Sequence, residues 1–108
     1  MIEHLGTVSL GLKCTDEDLI KIIDNYLNIS EYPFSFKELC NYVISKADKN
    51  DYFEKKPNTK YNGIELQLKD IQTINIILWN KIWEKKLIIV LDQYFHKSYP
   101  QEFYFSKI

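Results

Sequence analysis

Three features of this 108-residue sequence predict an α+β fold. Two amphipathic stretches, each opened by a capping signal, occupy its first half. A third helical stretch, apolar over more than half of its circumference, follows a polar loop. That stretch runs directly into the aliphatic segment Leu87 to Leu91, and the aromatic run Phe103-Tyr104-Phe105 stands near the C-terminus. The architecture expected is a three-helix core with a C-terminal β-hairpin and an N-terminal strand. The strand is placed at 7–13, the helices at about 15–28, 35–47 and 66–86, and the hairpin at 87–105. No linker or repeat divides the chain, so 1–108 is read as a single domain, within the usual size of roughly 100–150 residues.

Each element has a local reason. Val8, Leu10 and Leu12 alternate with smaller or polar neighbours, the period-2 pattern of a half-buried strand. Thr15 can cap the first helix, with Asp16, Glu17 and Asp18 on the positive end of its dipole. Leu19, Ile22, Ile23, Tyr26 and Leu27 then form one apolar stripe. After Pro33, Ser35 and Glu38 make a capping box, and Phe34 and Leu39 stand at the positions of a hydrophobic staple. Phe36, Leu39, Cys40, Val43, Ile44 and Ala47 continue that helix as a stripe.

The segment 48–63 carries Asp-Lys-Asn-Asp, Lys-Lys-Pro-Asn and Asn-Gly, which is turn and loop chemistry. Tyr52, Phe53 and Tyr61 are expected to pack it down. In the third helix Leu68, Ile71, Ile74, Ile76, Leu78, Trp79, Ile82 and Trp83 form the broad apolar side. Lys69, Asp70, Thr73, Asn80, Lys81 and Glu84 are assigned to solvent, with Ile77 in their midst. A stripe this wide belongs to a helix packed on two sides, or packed on one and used as a contact on the other.

Composition narrows the functional classes. Fourteen basic residues, all of them lysine, face fifteen carboxylates, for a net charge of −1. This excludes a generally basic nucleic-acid coat, and lysine replaces arginine's planar fork only as a point charge. No run of about 18 apolar residues suggests a membrane span. The first thirteen residues lack a basic stretch followed by an apolar one, so a cytoplasmic location is expected. Cys14 and Cys40 lie 26 positions apart without a CxxC pattern and are read as reduced thiols.

Catalytic patterns are missing from the sequence. His4 and His96 sit in no recognisable constellation, and Gly6, Gly11 and Gly63 are too dispersed for a phosphate-cradling loop. Asp48-x-Asn50 opens like a calcium loop, but Phe53 occupies the place of its obligatory glycine. No enzyme activity, cofactor or metal is expected.

The order of elements, with the run Ile82-Trp83-Glu84-Lys85-Lys86-Leu87-Ile88 at a helix-to-hairpin junction, resembles the winged helix-turn-helix superfamily over roughly residues 15–105. The chain departs from that pattern in the long 48–63 segment between its second and third helices. The resemblance implies a recognition helix at 66–86 and a wing at 87–105. It also implies DNA contact by Lys69, Thr73, Asn80 and Lys81, with Lys85, Lys86 and Lys97 on phosphates.

Charge favours another partner. Residues 60–108 hold seven lysines and five carboxylates, and residues 1–59 seven lysines and ten carboxylates. A DNA footprint depends on a strong positive field, and Asp70 and Glu84 would nearly cancel that of Lys69 and Lys81. The leading expectation is therefore a small protein-binding module, such as an inhibitor or immunity protein that neutralises a basic toxin or nuclease. Its expected contact residues are Asp16, Glu17, Asp18 and Glu31, with Thr73, Ile77, Asn80 and Glu84 on the third helix. A homodimer joined through Trp79, Trp83 and the first strand is compatible with either function.

Overall fold

The computed structural model describes residues 6–58, 60–91 and 103–108. His4, His96, Lys97 and the connection between the last two strands lie outside the described residues. Three helices and two small sheets follow in the order β1 (Thr7–Leu10), α1 (Asp16–Ile29), β2 (Phe34–Ser35), α2 (Phe36–Lys49), β3 (Gly63–Leu66), α3 (Leu68–Trp83), β4 (Leu87–Leu91) and β5 (Phe103–Lys107). The fold is α+β, with an N-terminal strand and a C-terminal antiparallel strand pair.

Both early helices begin where their caps dictate. The Thr15 hydroxyl accepts from the Asp18 N–H at 3.1 Å, and the Asp18 carboxylate accepts from the Thr15 N–H at 3.3 Å. Ser35 and Glu38 make the same reciprocal pair at 3.1 and 3.3 Å. With the ends fixed, Leu19, Ile23 and Tyr26 of α1 and Leu39, Val43 and Ala47 of α2 turn inward. Phe34 and Leu39, the expected staple, are both buried.

Two strands have no counterpart in the expected arrangement. β2 is two residues long, too short to carry a periodic signal, yet Phe34 and Ser35 pair antiparallel with Phe105 and Tyr104. The resulting sheet has the order β2-β5-β4. β3 runs parallel to β1, from Thr7 opposite Gly63 to Leu10 opposite Leu66. Leu66 therefore ends a strand instead of opening the third helix. The segment before β3 is held down at Tyr52 to Glu54: Phe53 is buried, the Glu54 N–H donates to the Gly11 carbonyl at 2.8 Å, and the Lys13 N–H donates to the Tyr52 carbonyl at 2.7 Å, while residues 54–58 are exposed.

Helices α2 and α3 end alike. The Tyr52 N–H donates to the Ala47 carbonyl and the Lys86 N–H to the Lys81 carbonyl, each spanning five residues. The residue before each donor, Asp51 at φ 57° and Lys85 at φ 59°, takes the left-handed conformation that this closure needs and that glycine usually supplies. This turn stops α3 at Trp83, three residues before its expected end, and aims the chain into β4.

One cluster of buried side chains joins the elements: Leu10 and Leu12, Leu19 and Ile23, Leu39 and Val43, Ile74 and Leu78, Leu87 and Phe105 all belong to it. The rotation of α3 about its axis corrects the expected one. Asp70 and Ile77, both assigned to solvent, are only 8% and 7% exposed.

Asp70 turns inward because its carboxylate accepts the Leu12 N–H at 3.1 Å, tying the segment just after β1 to the first turn of α3. Burial raises its carboxyl above the ordinary value of 3.8, while the Leu12 hydrogen bond works in the opposite direction. Asp70→Ala leaves the Leu12 N–H unpaired and is expected to cost about 1–3 kcal/mol. Asp70→Asn keeps an acceptor and removes the buried charge, so it should be at least as stable as the natural chain at neutral pH.

The sign of the pH dependence follows. A carboxyl raised in the folded chain holds its proton where the unfolded chain has released it, so its contribution to stability falls as pH rises towards the folded value. The urea-midpoint advantage of Asp70→Asn should be smallest below pH 3.8 and grow above it. A difference that ignores pH would contradict this account.

Candidate functional site

Helix α3 is apolar on two opposite sides. Ile74, Ile77 and Leu78 face the core. At about 100° per residue, Leu68, Ile76, Trp79 and Trp83 fall within an arc of roughly 80° on the other side. They are 68%, 60%, 46% and 81% exposed. Gln72 and Asn75, also exposed, complete the strip with amide groups.

The strip runs about 22 Å along the helix at 1.5 Å per residue. Its four apolar side chains present on the order of 500 Å² to solvent, near the upper end for a surface without a partner. Each indole adds an N–H donor beside its apolar face, the combination enriched in interface hot spots. Both sides of α3 are apolar because one serves the fold and the other does not. The breadth of the apolar arc was the available signal for such a contact face, but it did not say which half would be buried.

The expected contact residues divide. Ile77 belongs to the core and cannot meet a partner. Thr73 is half-buried, and its hydroxyl donates to the Lys69 carbonyl at 3.0 Å. Asn80 and Glu84 are exposed, and Glu84 stands 3.5 Å from the Lys86 ammonium. On α1, Asp16 and Glu17 are exposed, while Asp18 is committed to the cap. Glu31 is exposed just beyond the other end of α1, about 20 Å away along a helix of 14 residues. These carboxylates therefore do not form one patch.

The residues of the DNA reading also separate. Lys69 is bound by Glu54, and this hydrogen bond raises its ammonium's pKa while the carboxylate balances its charge. Lys81 folds along the protein to Asp24, at 2.6 Å. Lys85 occupies the left-handed turn after α3. The solvent side of α3 consequently presents tryptophans, with no unpaired cation among the described residues of its central turns.

The described residues contain no group of three or more histidine, cysteine or carboxylate side chains placed to hold a metal ion. Burial raises the Cys40 thiol to about 11, and burial with nearby Asp18 raises Cys14, so both are protonated and weakly nucleophilic at neutral pH. No helix among the described residues is long and apolar enough to cross a membrane. No known protein family matches the chain, and comparison with curated proteins and with solved structures finds no significant similarity.

Proposed function

We propose that this chain is a non-catalytic protein-binding module whose contact face is the Leu68, Ile76, Trp79 and Trp83 strip of α3. The observation that carries the reading is a pair of tryptophans and two aliphatic side chains left in water on one helix face, opposite a complete core. Exposing this much apolar surface is unfavourable unless a partner covers it.

The order α1, β2, α2, α3, β4, β5 with β5 in the centre of its sheet supports the winged-helix resemblance. In that frame α3 is the recognition helix, and its solvent side is built for apolar contact in place of a polyanion. An inhibitor or immunity role is the form of this reading that charge favours. The acidic first part of the chain, with Asp16, Glu17 and Glu31 exposed, would steer a basic toxin or nuclease towards it over a distance, without all three touching it.

The test is co-expression with the products of the adjoining genes, using Trp79→Asp and Trp83→Asp as interface variants. A neighbouring protein should co-purify with the natural chain, and any growth arrest that it causes should be relieved. Both effects should disappear in the tryptophan variants while their melting temperatures hold. Binding retained by both variants would overturn the assignment of the face. A natural chain that sediments as a dimer, with monomeric tryptophan variants, would make the partner a second copy.

A further inference from the structure

A second surface lies where the C-terminal end of α3 meets α1 and β5. We infer that it binds a small ligand carrying two or more phosphoryl groups, of the size of a nucleoside diphosphate or triphosphate. A cleft of about 540 Å³ opens there, lined by Lys81, Lys85, Lys86 and Lys107 together with Asp24 and Tyr32. Cavities of this size suit small ligands, which typically occupy roughly 300–1,000 Å³.

Four of the chain's fourteen lysines converge on this one concavity, in a protein whose net charge is −1. They arrive from the last turn of α3, the turn that ends it and the distant strand β5, so the grouping is not a charge run in the sequence. Asp24 takes up Lys81, and Glu84 lies 3.5 Å from Lys86. Counting both carboxylates against the four lysines leaves a side-chain charge of +2, which favours an anionic ligand.

Lys85 and Lys107 form no ion pair with a described residue. Lys107 instead sits over the Tyr32 ring, 5.1 Å from its centre, and the Tyr32 hydroxyl donates to the Leu27 carbonyl, which holds that ring in place. Leu27 and Leu87 add an apolar wall beside the cations. Cations at one side and an apolar wall at the other fit a ligand that joins phosphates to a base or another apolar group.

Lys85 lines the cleft from the turn itself, where its left-handed φ of 59° is a conformation in which glycine would be unstrained. A phosphodiester chain is the weaker fit. A strand needs cations spaced along a ridge, whereas these are gathered in a hollow and the central turns of α3 beyond it offer none unpaired.

Calorimetric titration of the full chain with inorganic triphosphate, with a nucleoside diphosphate and with a single-stranded oligothymidylate tests the assignment. The salt should be roughly 50 mM and then roughly 200 mM. Triphosphate and the nucleotide should bind, more weakly at the higher salt. Lys85→Gly and Lys107→Gln should each weaken binding about tenfold. The melting temperature of Lys85→Gly should not fall, because glycine suits that turn, which separates loss of the site from loss of the fold.

Absence of binding at about 1 mM triphosphate in the lower salt would overturn the proposal. So would binding that both variants leave unchanged. Binding of the oligonucleotide alone, abolished by the same variants, would reassign the lysines to nucleic acid and likewise overturn it. None of these outcomes depends on the tryptophan strip, which the co-expression experiment tests separately.

Discussion

Phe34→Ala is expected to remove much of this chain's stability. The phenyl ring is almost completely buried and is the meeting point of an aromatic cluster. Tyr26 approaches it edge-on at 5.1 Å, Tyr32 at 5.5 Å, and Phe105 stacks on it at 5.6 Å. Its backbone pairs with Phe105, and its side chain, packed at the entrance to α2, serves as the staple for that helix.

Truncation therefore loosens the start of α2, one strand pairing and the packing of three rings together. Phenylalanine-to-alanine changes in cores cost about 3–5 kcal/mol, and the whole stability of a small domain is about 5–15 kcal/mol. Phe34→Leu, which keeps more of the volume, should lose about 1–2 kcal/mol. Urea denaturation of the three proteins measures both differences. A Phe34→Ala protein within about 1 kcal/mol of the natural one would mean that the ring is not the hub of this core.

Ile77→Asp and Trp83→Asp should have opposite consequences, although both place a carboxylate on the same helix. Ile77 lies against the core, where an aspartate buries a carboxylate and removes a well-packed side chain. A loss above about 4 kcal/mol is expected, enough to leave the chain largely unfolded at 37 °C. Trp83 is 81% exposed, and replacing it should change stability by no more than about 0.5 kcal/mol while removing much of the contact face.

Circular dichroism melts of the two variants distinguish these effects before any partner is tested. A folded Ile77→Asp protein would return that residue to the surface. It would also show that the helix is rotated from the orientation described here.

The parts of the fold that were legible in the sequence are those whose causes are local. Thr15 with Asp18 and Ser35 with Glu38 mark their helices within four residues, and the clear polar sides of α1 and α2 leave one inward orientation for each. Helix α3 offers no such contrast. Ile, Leu and Trp occupy most of its wheel, so its rotation is decided by distant partners: the Leu12 N–H that captures Asp70 and the Asp24 carboxylate that captures Lys81.

Those two interactions draw a carboxylate and an ammonium towards the packed side and leave tryptophan in water, the reverse of what residue polarity implies. Strands β2 and β3 were hidden for a related reason. A two-residue strand has no period, and a four-residue one beginning at Gly63 after Asn62 reads as the end of a turn. Pairing across the chain, not local preference, makes them strands. The lysine cleft has no signature in the sequence because Lys81 and Lys107 are remote along the chain and line one hollow only when β5 is laid against the rest.

Strand β5 occupies the centre of its sheet, between β2 and β4. It contributes Phe105 to the core and Lys107 to the cleft. Losing Phe103–Lys107 to a protease would thus strip hydrogen-bond partners from two edges in one event and unlock the α1–α2 junction at Phe34. Unfolding of this half of the molecule should be all-or-none, with its amide protons from β2, β4 and β5 exchanging in concert.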